Sequence, residues 1–412
     1  MRAWCIPAIA SLAVAISGFS TPKAEAASTL PVTITNLTGY TGKIYVTVYG
    51  STNPNKNDTW YYVAQSGKAT KFKASTAAKN YGFSFSGKST TLRVPMLQSA
   101  RVYFSFCEPI TLSVNSKGNP STPDGWTPGE GNFETPFDFM EYTWVTNSGV
   151  GGGTQIWADT TQVDAFGLPI RMTLSGKPGG VATTLVGGFD SATAGTNIIT
   201  AMTKAGAPWS NLIVKDAQKR PIRIISPVHA MALSTKDPNY FDNTHWNKYI
   251  DQVFTYYANA KNTFSIDTGA TTYTGTVTNN QMVLTPKGGG TPTIFGKPDT
   301  PYLWANGAPP VSGGNVALLQ TYIQAAFLRS TFLTNKTLSN CSGAAPYTAS
   351  PVNQYSKLIH QYSYNKGAYT FPYDDVCSQS STISLLQPTA LNLTLYPLNG
   401  SMAKVTCPAS RN

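Results

Sequence analysis

Apolar and polar positions alternate along the first quarter of the chain. Pro31-Val-Thr-Ile-Thr and Lys43-Ile-Tyr-Val-Thr-Val-Tyr both read with period two, and Gly, Asn and Pro punctuate the gaps. Successive side chains of a strand point to opposite faces, so this period predicts strands with one buried side. Thr91-Leu-Arg-Val-Pro and Arg101-Val-Tyr-Phe-Ser-Phe continue the series, and residues 30–106 read as an antiparallel sandwich or barrel. After Met172 the period changes. Ser191–Ala205 reads as a helix stopped by Gly206 and Pro208. Trp246, Tyr249, Ile250, Val253, Phe254 and Tyr257 form a helical stripe behind a cap at Asn243 or Thr244, and aromatics at that spacing face a core. Short strands follow between Thr263 and Phe295, and Asn315 caps a third helix, Val316–Leu333. From Tyr355 strand pattern returns in His360-Gln-Tyr-Ser-Tyr, Tyr369-Thr-Phe-Pro-Tyr and Leu391-Asn-Leu-Thr-Leu-Tyr.

The expected architecture is therefore mainly β with an α/β insertion. A β domain is built from residues 27–185 and 340–412, and a mixed α/β domain from 186–339. Two such units leave a cleft between them, where ligand sites occur.

Composition adds the compartment. Only 12% of the 412 residues are charged, and Gly, Pro, Thr, Ser and Tyr are plentiful, as in secreted loop-rich β proteins. With 41% hydrophobic residues the chain is not disordered. Residues 1–26 read as a secretory signal: Arg2 starts it, Ile6 to Phe19 is an apolar run too short to span a membrane, and Ala24-Glu25-Ala26 fits the cleavage rule. No other run would make a transmembrane helix, so a secreted, extracellular product with no membrane partner is expected. Cys5 leaves with the signal. Cys107, Cys341, Cys377 and Cys407 remain, which predicts two disulfides in one of three pairings.

The formal charge of +11 falls to +10 once Arg2, Lys23 and Glu25 are removed. The bases are scattered without a Lys/Arg run, so a nucleic-acid partner is not expected; a monomeric basic exoprotein is. Gly82-Phe-Ser-Phe-Ser-Gly-Lys-Ser has the spacing of a phosphate-binding loop. That loop needs a helix after it, whereas β-branched residues and Pro95 follow here, so a hairpin turn is expected instead.

The chemistry gathers between Phe137 and Pro169. In a chain with 19 acidic residues, Asp138, Glu141, Asp159 and Asp164 lie together among aromatics and threonines. Two carboxyl groups across a groove are the minimum set for glycoside hydrolysis: one protonates the leaving oxygen, the other activates water or attacks. On a strand Phe139, Glu141, Thr143 and Val145 share one face, which puts Tyr142 and Trp144 in the core and Asp138 away from the groove, capping the strand's start. Asp159 and Asp164 share a site only if the chain bends near Thr160-Thr161.

Met140-Glu-Tyr-Thr, Trp157-Ala-Asp-Thr-Thr-Gln-Val-Asp-Ala-Phe-Gly-Leu-Pro and Tyr369-Thr-Phe-Pro-Tyr-Asp-Asp, with Arg101-Val-Tyr-Phe-Ser and Ser226-Pro-Val-His in support, carry a resemblance. Over nearly the whole mature chain the sequence resembles the laminaripentaose-producing β-1,3-glucanases of glycoside hydrolase family 64, in the thaumatin-like superfamily. The resemblance implies a thaumatin-like β-sandwich or barrel beside a mixed α/β domain, flanking a wide groove. It implies Glu141 as general acid and Asp164 as general base, with Thr143, Trp157 and Thr161 holding glucosyl units. It also implies an acidic cleft in which Asp159, Asp164 and one of Asp374 and Asp375 are the aspartates and Arg101 the arginine. The family inverts, which requires carboxyl groups about 6.5–9.5 Å apart rather than about 5–5.5 Å. Two departures stand out: a glycine-rich loop from Gly149 to Gly153, and Val145 where a polar sugar-binding side chain is expected.

Other chemistries lack their residues. Three histidines without His-Glu-x-x-His or paired His/Cys ligands leave no expected metal or other cofactor. Asp374-Asp375 has no EF-hand-type loop around it, and Gly-x-Ser-x-Gly is missing. His229 and His360 read as structural. Two readings remain, a secreted endo-β-1,3-glucanase and a silent thaumatin-like β-glucan-binding protein. The pair Glu141 and Asp164 favours the enzyme, because binding alone needs no acid and base.

Overall fold

The period-two stretches become the two faces of a β-sandwich. The structure, a computed structural model, describes residues 29–147, 153–234, 241–340, 342–404 and 407. The expected signal segment, Cys5, Cys341 and the glycine loop at 148–152 lie outside these residues.

One sheet has five strands in the order Thr183–Gly188, Ile170–Gly176, Pro388–Leu395, Leu30–Asn36 and Ser89–Val94. The other runs Ile383–Leu386, Gly153–Thr160, Phe137–Asn147, Gln98–Phe106, Ile44–Ser51, Trp60–Val63 and Ala69–Lys71, with Phe83–Phe85 also paired to Ile44–Ser51. The first and last strands of the five-stranded sheet's chain path, Leu30–Asn36 and Pro388–Leu395, pair in parallel, which ties the two ends of the described chain together. Val32, Ile34, Leu92 and Leu393 of one sheet meet Val46, Val102, Met140, Tyr142 and Ile156 of the other in a closed core. Each fully buried aliphatic or aromatic side chain contributes about 1.5–3 kcal/mol. Cys107 and Cys407 form a disulfide across 300 residues of sequence, and Cys377 is disulfide-bonded as well.

A second core is built by the helices Ala194–Ala205, Asn247–Ala258, Val316–Leu328 and Gln354–Tyr362 against an antiparallel sheet running from Phe264–Asp267 to Pro310–Ser312. All six residues of the Trp246–Tyr257 stripe are buried in it. So are Tyr355, Leu358, Ile359 and Phe371, while Ile383, Leu385, Leu391, Leu393 and Leu395 return to the sandwich core.

Four local expectations are corrected. His360-Gln-Tyr-Ser-Tyr is not a strand: its first three residues end the helix Gln354–Tyr362, capped by Asn353, whose side chain accepts the Ser356 N–H at 3.1 Å. Tyr355, Leu358, Ile359 and Tyr362 carry the helical period that marks it. Tyr369–Tyr373 is a turn rather than a strand, since Pro372 can donate nothing to a ladder. The third helix stops at Leu328, short of Leu333, with Arg329 as its C-cap. The Gly82–Ser89 segment is not a hairpin: Phe83–Phe85 pairs with one sheet and Ser89–Val94 with the other, so the chain crosses the sandwich here. A strand follows Lys88, as the exclusion of a phosphate loop requires.

Asp138 does more than cap its strand. It is 3% exposed, and its Oδ2 accepts the N–H groups of Gly167 and Leu168, both at 2.8 Å, while Oδ1 accepts the Phe139 N–H at 2.7 Å. This pins the Val163–Leu168 bend to the strand that carries Glu141. Gly167 is obligatory, because a Cβ there would collide with the Phe137 carbonyl. Burial pushes the Asp138 carboxyl up to about 7, against the opposing pull of these amides and of Arg223. An acid whose folded pKa is raised contributes stability that is full below its unfolded value of about 3.9 and lost as pH rises through about 7. The difference in melting temperature between the wild type and Asp138→Asn should therefore shrink steadily from pH 4 to pH 8. A difference independent of pH would contradict a neutral Asp138.

Candidate active site

The site begins with a register. Across three adjacent antiparallel strands, Arg101 stands opposite Glu141, and Glu141 stands opposite Asp159. Directly opposed residues share a face, so the three side chains form one row. Thr143 and Trp157 are opposed in the next row, with Ser384 beyond, and Val145 and Gln155 in the row after that. The other face of the Glu141 strand buries Met140, Tyr142 and Trp144.

Arg101 Nε donates to Glu141 Oε1 at 2.7 Å, and both side chains are 13% exposed. The guanidinium lies 4.8 Å from the centre of the Phe139 ring and donates to the Tyr103 hydroxyl at 3.1 Å. Arg101 is thus fixed by an aromatic bed on one side and the acid on the other. The Thr143 hydroxyl accepts the Ser99 N–H at 3.1 Å.

The chain does bend after Thr160, and the bend delivers Asp164. Gln162 fixes it: its N–H donates to the Tyr369 carbonyl at 2.7 Å, and its carbonyl accepts the Tyr355 hydroxyl at 2.6 Å. Ala165-Phe166 then pairs with Ile224-Ile225 of the second core. Ser226 N–H donates to the Asp164 carbonyl at 3.0 Å, and His229 Nε2 lies 2.8 Å from Asp164 Oδ1. Arg101 is the charged group shared by the two halves, since both Glu141 and Asp164 act on it.

The distant pair Asp374-Asp375 divides. Asp375 is partly exposed and acts electrostatically on Asp159 and Tyr369, so it belongs to the row. Asp374 is corrected: it has no exposure and cannot touch substrate. Its Oδ1 accepts from Arg329 at 2.9 Å, and its Oδ2 from His360 at 2.9 Å, Thr370 N–H at 3.0 Å and the Thr370 hydroxyl at 2.7 Å. Thr161 is corrected likewise, because it is 1% exposed and turned into the bend. Among the described residues no three His, Cys, Asp or Glu are grouped to hold a metal ion.

Known proteins resemble this arrangement. The family model for glycoside hydrolase family 64, described as Beta-1,3-glucanase, matches residues 28–395. The chain belongs to glycoside hydrolase family 64. It is 26% identical to the glucan endo-1,3-beta-glucosidase of Cellulosimicrobium cellulans over 97% of its own length and 71% of that protein's. Its fold is that of a laminaripentaose-producing beta-1,3-glucanase solved with laminaritetraose (TM-score 0.77, 23% identity, 90% of this chain and 99% of that one). A family 64 beta-1,3-glucanase domain from Clostridium beijerinckii has the same fold (TM-score 0.72, 24% identity, 91% and 100%).

In this family 64 hydrolase, environment separates the carboxyl groups. Burial acts to raise Asp164, but the His229 hydrogen bond and charge, with Arg101, outweigh it and hold Asp164 below the usual carboxylate range. Asp159 is driven well above that range by burial, then by repulsion from Glu141 and Asp375, with only Arg101 opposing. Its Oδ1 is buried without a hydrogen-bond partner among the described residues. The two aspartates are thus pushed in opposite directions, Asp164 towards the ionised form and Asp159 towards the protonated one.

Sequence reasoning missed His229, which it took for a structural residue. Only the Ser226-Pro-Val-His motif hinted at it, and no spacing in the sequence connects it to Asp164. His360 is the structural histidine. Asp374 tests that distinction. Burial acts to raise its pKa, and His360, Arg329 and Thr370 outweigh this, so the carboxyl is lowered. Its contribution to stability is present above the unfolded value and lost as pH falls. Asp374→Ala should destabilise the protein by about 3–5 kcal/mol at neutral pH in urea unfolding, because Arg329 and His360 are left buried and unpaired. A cost below about 1 kcal/mol would show that the pair is not what anchors this turn.

Proposed function

We propose that this protein is a secreted, monomeric endo-β-1,3-glucanase that hydrolyses linear β-1,3-glucan with inversion and releases laminaripentaose. Glu141 is the general acid and Asp164 the general base. The observation that carries the assignment is the His229 contact on Asp164 at 2.8 Å, set apart from the Arg101 contact on Glu141 at 2.7 Å. Asp164, gripped by His229 and Arg101, is held in the ionised form that can accept a proton from water. Glu141 stands across from it in the row with Asp159, oriented by the 2.7 Å bond from Arg101.

The glucan lies along the sheet face over Thr143 and Trp157, with Trp157 offering a ring for a sugar face and Thr143 a hydroxyl. Asp159 and Asp375 line the same cleft. In the reaction Glu141 gives its proton to the glycosidic oxygen as the bond to the anomeric carbon breaks. Asp164 takes a proton from a water that attacks that carbon from the opposite side. The Arg101 guanidinium, fixed between Phe139, Tyr103 and Glu141, keeps the acid oriented and offsets negative charge in the row. Relatives that produce laminaripentaose support the five-sugar product, and the signal-like residues 1–26 and the Cys107–Cys407 disulfide support export. No described helix is long and apolar enough to cross a membrane.

Glu141→Gln and Asp164→Asn should each lower kcat on linear β-1,3-glucan by about 10²–10⁴-fold while leaving glucan binding in place. Proton NMR of the wild-type reaction should show the α-anomer of the new reducing end first, and chromatography should show a five-sugar product. Initial β-anomer would overturn inversion, and glucan binding without any hydrolysis by the wild type would overturn the enzyme.

A further inference from the structure

Nothing in acid/base cleavage itself calls for a histidine, yet one is built against the base. The contact is made on three levels. At the backbone, the Ser226 N–H donates to the Asp164 carbonyl, and His229 N–H donates to the Ser226 carbonyl at 3.1 Å, at the start of the helix Pro227–Ser234. At the side chain, His229 Nε2 meets Asp164 Oδ1 at 2.8 Å, with side-chain exposures of 4% and 15%. An ionised carboxylate only accepts, so Nε2 carries the hydrogen. Behind the histidine, the Trp126 ring lies flat on the imidazole, 3.8 Å between centres and 12° from parallel. Trp126 is itself set by Asp124, whose Oδ1 accepts the N–H groups of Trp126 and Thr127, both at 2.8 Å.

The cavity that Asp164 borders with Trp126, Asp138, Phe139 and Arg223 measures about 10 Å³ and has room for about one water. Among the described residues His229 is the side chain that meets this carboxylate within hydrogen-bond distance.

We propose that His229 is a positioning residue for the catalytic base: its Nε2–H fixes the rotamer of Asp164, and Trp126 clamps the imidazole in the orientation that makes this bond. The proposal rests on the reading of Asp164 as the base. The fixed oxygen, Oδ1, is the one turned to His229, which leaves Oδ2 for the attacking water. The other groups that bear on Asp164 are few. Arg101 attracts it from the sandwich sheet, and Tyr355 feels both Asp164 and Asp138 from the helix Gln354–Tyr362. Arg223, buried over the Phe137 ring, works chiefly on Asp138. Arg101 is already engaged with Glu141, so among the described residues His229 is the side chain that hydrogen-bonds Asp164.

The test is the pH profile of kcat/KM on soluble β-1,3-glucan for the full mature chain. Without the histidine, Asp164 binds its proton more tightly, so the acid limb moves to higher pH. His229→Phe, which keeps a ring for Trp126 to stack on, should move it by about one pH unit. His229→Gln retains an N–H donor and should fall between that and the wild type. In both, kcat should drop by more than KM changes. If His229→Phe fails to fold, His229→Gln and Trp126→Leu carry the comparison. An acid limb coincident with the wild type in every folded variant, with only the melting temperature lowered, would overturn the proposal and leave His229 as a packing residue. Asp164→Asn separates the two claims. Retained activity there would sink the reading of the base. An inactive Asp164→Asn with an unmoved limb in the His229 variants would sink only the positioning role.

Discussion

The register between the strands Gln98–Phe106, Phe137–Asn147 and Gly153–Thr160 is the constraint from which the site follows. Arg101, Glu141 and Asp159 have no sequence relation to one another. They meet because each is opposite the next in the ladder. A slip of one residue would send Glu141 into the sandwich core and bring Tyr142 and Trp144 out to the groove. The alternation of the strand, with Met140, Tyr142 and Trp144 buried, excludes that slip on hydrophobic grounds alone. The same burial that stabilises the sheet therefore sets the geometry of the row.

That row opposes the stability of the sheet that carries it. Glu141 and Asp159 share one arginine, Asp375 adds its repulsion to Asp159, and an oxygen of Asp159 is buried without a hydrogen-bond partner among the described residues. Like charges directly opposed across strands are destabilising, and a buried carboxylate without a donor is costly. Burial and the neighbouring carboxyl groups push Asp159 towards its protonated form, which eases this repulsion. Arg101 can then serve Glu141 and still attract Asp164. A carboxyl with a raised affinity for protons thus stands next to the proposed acid.

Much of the fold was legible because its signals are local. Period two marked the strands from Leu30 to Phe106, and the Trp246–Tyr257 stripe marked a helix that is buried as expected. The misread elements were those where two signals compete. The alternating tyrosines of His360-Gln-Tyr-Ser-Tyr favour a strand, but the apolar helical spacing begins at Tyr355, outside that window. In the site, strand parity put Glu141 on the groove face, while the roles of Asp164, Asp159 and Arg101 came from the family resemblance. Asp374 and Asp375 could not be told apart, because adjacent residues of a turn have no fixed parity. Only tertiary structure shows that Arg329, His360 and Thr370 enclose one of them. His229 was missed for the same reason: its meaning lies in a 2.8 Å contact across 65 residues of sequence.

The two proposed catalytic groups belong to different cores. Glu141 sits on the sandwich sheet. Asp164 is tied to the second core by Ser226 and His229 and by the pairing of Ala165-Phe166 with Ile224-Ile225. Their separation is therefore a property of how the two cores meet, not of either alone. Asp138 is the direct bond across that boundary, since it stands on the Glu141 strand and holds the amides that follow Asp164. Arg223 reinforces it from the second core, lying 4.5 Å from the Phe137 ring centre and donating to the Phe133 and Thr135 carbonyls. Removing such bonds would not touch a sugar, yet it would loosen the distance on which in-line attack by water depends. A shift of about 1 Å is enough to cost on the order of 10²-fold in rate.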